Sequence, residues 1–146
     1  MKIRKANLKD FKELYSLGLH TPELRVSATE SFMDKDDFKR RLTGKNHVFL
    51  LAESDSKIIG FISANAKDAD SPLKNKYACI VYIVVLSQYR NKGVATKLYK
   101  ECVKELKKLG ITHVYAWADM KSGVISFLKK KGFNIGKPSV WVDKKL

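Results

Sequence analysis

Val81-Tyr-Ile-Val-Val-Leu-Ser-Gln-Tyr-Arg90-Asn-Lys-Gly-Val-Ala-Thr-Lys-Leu-Tyr-Lys100 changes structural character as it is read. The apolar, β-branched run from Ala78 to Leu86 reads as a buried strand. Val94, Ala95, Leu98, Cys102, Leu106 and Leu109 then recur at helical spacing, with Lys97, Lys100, Glu101, Lys104, Lys107 and Lys108 mostly on the other face. Arg90, Asn91, Lys92 and Gly93 fall at the junction. The opening N–H groups of such a helix, on Val94, Ala95 and Thr96, have no internal partner and carry the positive end of its dipole. A phosphate suits that terminus. Gly93 permits close backbone approach, Asn91 tolerates a left-handed nest, and Arg90 and Lys92 add charge. The stretch predicts a strand–turn–helix site for a diphosphate.

Two familiar phosphate loops are excluded. The G-x-x-x-x-G-K-[ST] loop is absent, and of G-x-G-x-x-G only Gly93 is present. Arg90-Asn91-Lys92-Gly93-Val94-Ala95 instead resembles [R/Q]-x-x-G-x-[G/A], the acetyl-CoA loop of the GNAT N-acetyltransferase superfamily. Val85-x-x-x-Tyr89-Arg90 before it and Phe127-x-x-x-x-Gly132-Phe133 after it resemble the rest of that pattern. The resemblance runs from about Met1 to Val142. It implies acetyl-CoA as co-substrate, with a pantetheine arm lying along Ile83, Val84 and Val85 where two strands splay at a bulge. The position of the family's cofactor-contacting Asn holds Lys121 here.

The remainder of the chain fits an α/β domain. Its 146 residues are 45% hydrophobic, which suits one domain over 1–146 with a full core. Lys2–Ala6 is a first strand. Asn7 caps a first helix, which His20-Thr21-Pro22 ends, and Asp34 caps a second, which Gly44 stops. His47–Glu53 and Lys57–Asn65 form a hairpin around Ser54-Asp55-Ser56. Ile111–Ala118 reads as a strand, Ser122–Lys131 as a helix, and 133–135 and 140–142 as two last strands. The expectation is a GNAT-like fold: a mixed, mostly antiparallel sheet of six to seven strands flanked by about four helices. The start of the chain has no apolar run of a signal peptide, and no stretch is long enough to span a membrane. Cys79 and Cys102 sit in apolar contexts and read as reduced thiols, so a cytoplasmic setting is expected.

Acetylating an amine asks the protein to position the amine, move protons and polarise a carbonyl. Here the chain departs from the family it resembles. The position of the Tyr that protonates the leaving thiolate holds Leu128. The positions of two acidic bases found in different branches hold Cys79 and Ala116. Tyr82, close to the splay, and Asp119, just beyond the fifth strand, are the candidate catalytic residues; each also reads as ordinary structure, a packed aromatic and a helix-start carboxylate. Tyr115, Glu30 and Glu53 are lesser candidates. His20, His47 and His113 have no metal-ligand spacing, so no metal is expected.

The net charge is +14, from 29 Lys and Arg against 15 Asp and Glu. A solvated lysine surface accounts for it; a nucleic-acid or ribosome-facing surface is the rival, not favoured because no aromatic-interleaved basic motif accompanies the lysines. The charge would repel a polyamine. The reading that results is an acetyl-CoA-dependent N-acetyltransferase acting on a primary amine of a small molecule, peptide N-terminus or lysine, as a monomer or homodimer. The alternatives are a non-enzymatic acyl-CoA-binding module on the same fold, and a basic nucleic-acid-associated protein.

Overall fold

In the computed structural model, residues 1–25, 27 and 32–146 are described. One five-stranded sheet runs in the order β1 (Lys2–Lys5), β2 (His47–Ser54), β3 (Lys57–Asn65), β4 (Tyr77–Val85) and β5 (His113–Ala116). Neighbours are antiparallel except β4 and β5, which are parallel. Parallel neighbours need a crossover, and α3 (Val94–Lys108) supplies it. The other helices are α1 (Phe11–Leu19), α2 (Lys35–Thr43) and α4 (Val124–Lys130).

Local chemistry explains the boundaries. The Asn7 side chain accepts from Lys9 N–H, and Asp10 reaches back to Asn7 N–H, closing a capping box ahead of α1. Asp34 accepts from Asp36 and Asp37 N–H and starts α2. Asp55 and Ser56 both have positive φ (49° and 61°), the geometry of a tight hairpin between β2 and β3.

Each face of the sheet has its own core. The α3 face buries Val94, Leu98, Cys102 and Leu106 against Leu50, Ile62 and Ile80. A fully buried leucine contributes roughly 1.5–3 kcal/mol, so this stripe fixes the helix to the sheet. The face under α1 and α2 is rich in aromatic residues: Phe38 packs on Phe11, Tyr15, Phe32, Phe49 and Phe61. Gly18 lies under the Phe32 ring, and a Cβ there would stand 2.2 Å from Phe32 Cζ.

Three expectations change. The segments 133–135 and 140–142 are not strands, so the sheet has five strands rather than six or seven. Phe133 packs on Tyr99 of α3, but Val140 is 86% exposed and Val142 83%; Gly136 and Pro138 interrupt this segment, and Ile135, Val140, Trp141 and Val142 stay exposed. The fifth strand is shorter than Ile111–Ala118, because Lys76 O holds the N–H groups of Thr112 and His113 at its start and Trp117 is exposed at its end. The last helix begins at Val124, later than Ser122. Among the described residues, no helix is long and apolar enough to cross a membrane.

Candidate functional site

Two irregularities meet at Val81. Across β3 and β4, Ser63 pairs with Tyr82 but Ala64 pairs with Ile80, so Val81 is an extra residue on β4. Such a bulge bends its strand and sharpens the local twist. Across β4 and β5, pairing runs from Tyr77/His113 to Ile80/Ala116 and stops there. From Val81 to Val85, β4 therefore continues without β5 beside it. Ile83, Val84 and Val85 lie on this parted length. The Val85 carbonyl is already taken, since Arg90 Nε donates to it at 3.0 Å.

The chain then makes a short 3-10 turn at Ser87–Tyr89 and enters α3. Asn91 has φ 59° and Gly93 φ 81°, two left-handed residues in one turn. No atom lies within 4 Å of where a Cβ on Gly93 would stand, so the turn is open on that side. The first helical bond of α3 runs from Lys97 N–H to Gly93 O at 3.1 Å, which leaves the Val94, Ala95 and Thr96 N–H groups ahead of it. Val94 is buried and anchors the helix start. Lys92 Nζ stands 5.8 Å from the Tyr89 ring centroid. A left-handed nest, free helix N–H groups and two basic side chains suit a phosphate group. Arg90 also ion-pairs with Glu23, Nη1 to Oε1 at 2.9 Å.

Tyr82 lies beside the bulge, half-buried, with its ring 5.2 Å from that of Phe32. Burial pushes its phenol pKa up, against the opposing charge of Arg41. The phenol is therefore held in its proton-bearing form. Asp119 lies in the turn before α4, where it is exposed and accepts from Lys121 N–H at 2.9 Å; its backbone carbonyl accepts from Ser122 Oγ and N–H. Lys121 is exposed in the same turn. β5 is parallel to β4, so this turn leaves the sheet at the edge toward which β4 also runs. Leu128 is only 4% exposed, committed to packing.

The lesser candidates separate. Cys79 is half-buried on β4 opposite Tyr115, and burial raises its thiol pKa. Glu53 is bound to Arg4 at the far side of the sheet, and Glu30 lies outside the described residues. Among the described residues no group of three His, Cys, Asp or Glu side chains is placed to hold a metal. A concavity of about 470 Å³ between β1 and α3, edged by Ile3, Lys97 and Lys100, is not at the parted strands. The lysines of α3 are partly neutralised within the helix, Lys104 by Glu101 and Lys108 by Glu105.

The sequence reading passed over Ser63. It is the one fully buried polar side chain among the described residues, and its Oγ has no hydrogen-bond partner. The available signal was a lone hydroxyl inside the run Ile58-Ile-Gly-Phe-Ile-Ser63-Ala64.

Comparison with known proteins gives the same direction. The profile of the Acetyltransferase (GNAT) family matches residues 10–133. An uncharacterized N-acetyltransferase of Methanocaldococcus jannaschii is 26% identical over 132 residues, covering 90% of this chain and 58% of that protein. The chain thus spans little more than half the length of that relative. An N-alpha-acetyltransferase of Sulfurisphaera tokodaii is 28% identical over 139 residues, covering 90% of this chain and 79% of that protein. The crystal structure of PaiA N-acetyltransferase from Thermoplasma acidophilum, in complex with coenzyme A, superposes with a TM-score of 0.78 at 21% identity, over 94% of this chain and 92% of that one.

Proposed function

The chain belongs to the GNAT acetyltransferase family, and from that premise we propose that it moves an acetyl group from acetyl-CoA to a primary amine within a ternary complex. The observation that carries the proposal is the parting of β4 from β5 at the Val81 bulge, followed directly by the left-handed turn that opens α3. Acetyl-CoA supplies an activated thioester. The N–H groups of Val94, Ala95 and Thr96, with Arg90, Asn91, Lys92 and Gly93, hold its diphosphate. The backbone of Ile83 and Val84 lines its arm. The amine nitrogen bonds to the thioester carbon, the C–S bond breaks, and the nitrogen loses a proton to water. Tyr82, kept protonated by burial, gives its proton to the departing thiolate and takes back from water the proton that the nitrogen released. Lys121 and Asp119 take a supporting place at the end of β5.

The burial of Leu128 favours a second reading, an acyl-CoA-binding module that transfers nothing. Single-turnover transfer from labelled acetyl-CoA separates the two. The acceptors are a peptide with a free α-amine, an Nα-blocked lysine peptide and an aminoglycoside. Transfer to any of them supports the enzyme, with Tyr82→Phe expected to slow it. Binding without transfer supports the module, and absence of acetyl-CoA binding overturns both.

A further inference from the structure

Ser63 is 0% exposed, and its Oγ donates to nothing and accepts from nothing. A buried hydroxyl without a partner forfeits the hydrogen bonds it made in water, so alanine would be the more favourable residue in a purely structural strand. Its location bears on why a hydroxyl stands here. Ser63 pairs with Phe49 on β2 and Tyr82 on β4, and cross-strand partners share a face. Phe49 is in the aromatic core and Tyr82 packs against it, so Ser63 lies in the α1/α2 face of the sheet. It is also the last residue of β3 before the register shifts. Adjacent strands stand about 4.8 Å apart, so the hydroxyl is one strand from the parted length of β4.

From this placement we infer that Ser63 is an acceptor-binding residue: its Oγ accepts a hydrogen bond from the N–H of the incoming amine, past Tyr82, and turns the nitrogen lone pair toward the thioester carbon. The inference rests on the acetyltransferase reading and adds a residue on the acceptor side. The hydroxyl keeps its own proton, and no bond to Ser63 forms or breaks. The ligand is a primary amine in its neutral form, because only an unprotonated nitrogen carries the lone pair that attacks the thioester carbon. The cost of the unpaired hydroxyl in the free protein is recovered when the amine arrives.

The test is Ser63→Ala, with Ser63→Cys as a near-isosteric variant carrying a weak acceptor. Thermal unfolding should show Ser63→Ala at least as stable as the wild type. Its acetyl-CoA affinity by calorimetry should be unchanged. For whichever of the three amine probes the wild type acetylates best, kcat/KM should fall about tenfold, with Ser63→Cys between the two. Unchanged kcat/KM in a folded Ser63→Ala protein overturns the inference and leaves the acetyltransferase reading standing. Loss of acetyl-CoA affinity in that variant also overturns it, by placing Ser63 on the donor side. A wild type that acetylates none of the amines removes the reading and this inference together.

Discussion

Arg90, in the turn that opens α3, is tied to Glu23, in the segment that leaves α1, by an ion pair of 2.9 Å. The guanidinium also donates to Val85 O, so one side chain joins the end of β4 to the α1–α2 connection. Glu23's carboxylate pKa is lowered, first by its own backbone N–H and then by Arg90. A diphosphate at the turn would compete with that carboxylate for Arg90. Glu23→Gln should therefore tighten acetyl-CoA binding. Both groups are well exposed, and exposed pairs contribute about 0–1 kcal/mol, so the gain is at most roughly fivefold. Calorimetry at low and high salt checks this; an unchanged affinity at low salt would mean that Arg90 does not face the diphosphate.

Gly93 separates conformation from charge. With φ 81°, any side chain there is strained, but asparagine tolerates the left-handed region better than most. Gly93→Asn and Gly93→Asp should thus lose similar stability. If the turn holds the diphosphate as proposed, only the aspartate places a negative charge against it, and it alone should lose acetyl-CoA affinity by an order of magnitude or more. Equal affinities in the two folded variants would remove the turn from the binding site.

Leu128→Tyr restores the residue type that the resembled family often has, and the structure argues that this harms the protein. Leu128 is buried, and a larger side chain with a hydroxyl must displace its neighbours. Overpacking of this kind costs about 1–3 kcal/mol. Thermal denaturation should show the loss, without faster acetyl transfer. A stable and faster variant would show that the position opens onto the reacting groups.

His47 gives a pH dependence with a definite sign. Burial, followed by the charges of Arg41 and Arg40, holds its pKa below the ordinary 6.5, and Asp37 opposes them weakly. Below about pH 6.5 the unfolded chain takes up a proton that the folded chain refuses. Stability from this group is complete above that pH and is lost as pH falls. The unfolding temperature should drop between pH 7 and pH 5, and His47→Gln should flatten the drop. Identical slopes would assign the acid sensitivity to the carboxylates instead.

Where local chemistry decides an element, the sequence was legible. The β-branched run, the turn and the amphipathic repeat from Ala78 to Leu109 became β4 and α3, and Asn7 and Asp34 became caps. The β-branched and aromatic residues of 140–142 would suit a pleat, but composition does not say that any strand edge receives them. Register is equally silent in sequence: nothing in Cys79-Ile-Val-Tyr82 announces that Val81 is the extra residue. The Arg90–Glu23 pair joins positions 67 apart, with no local pattern to reveal it. Ser63 was visible as a hydroxyl in an apolar run, but only its burial without a partner distinguishes it from a tolerated substitution.

Gly18 and Phe32 divide one volume between them, a hydrogen on α1 and a ring lying over it. The two positions are therefore not free to vary separately. A methyl at 18 requires a smaller or displaced side chain at 32, and a smaller residue at 32 leaves room that a larger residue at 18 can fill. Because the Phe32 ring also rests on Tyr82, the exchange carries across the layer to β4. In relatives, coordinated substitutions at these two positions would reset the tilt of the Tyr82 ring without altering any residue of the turn or the strands.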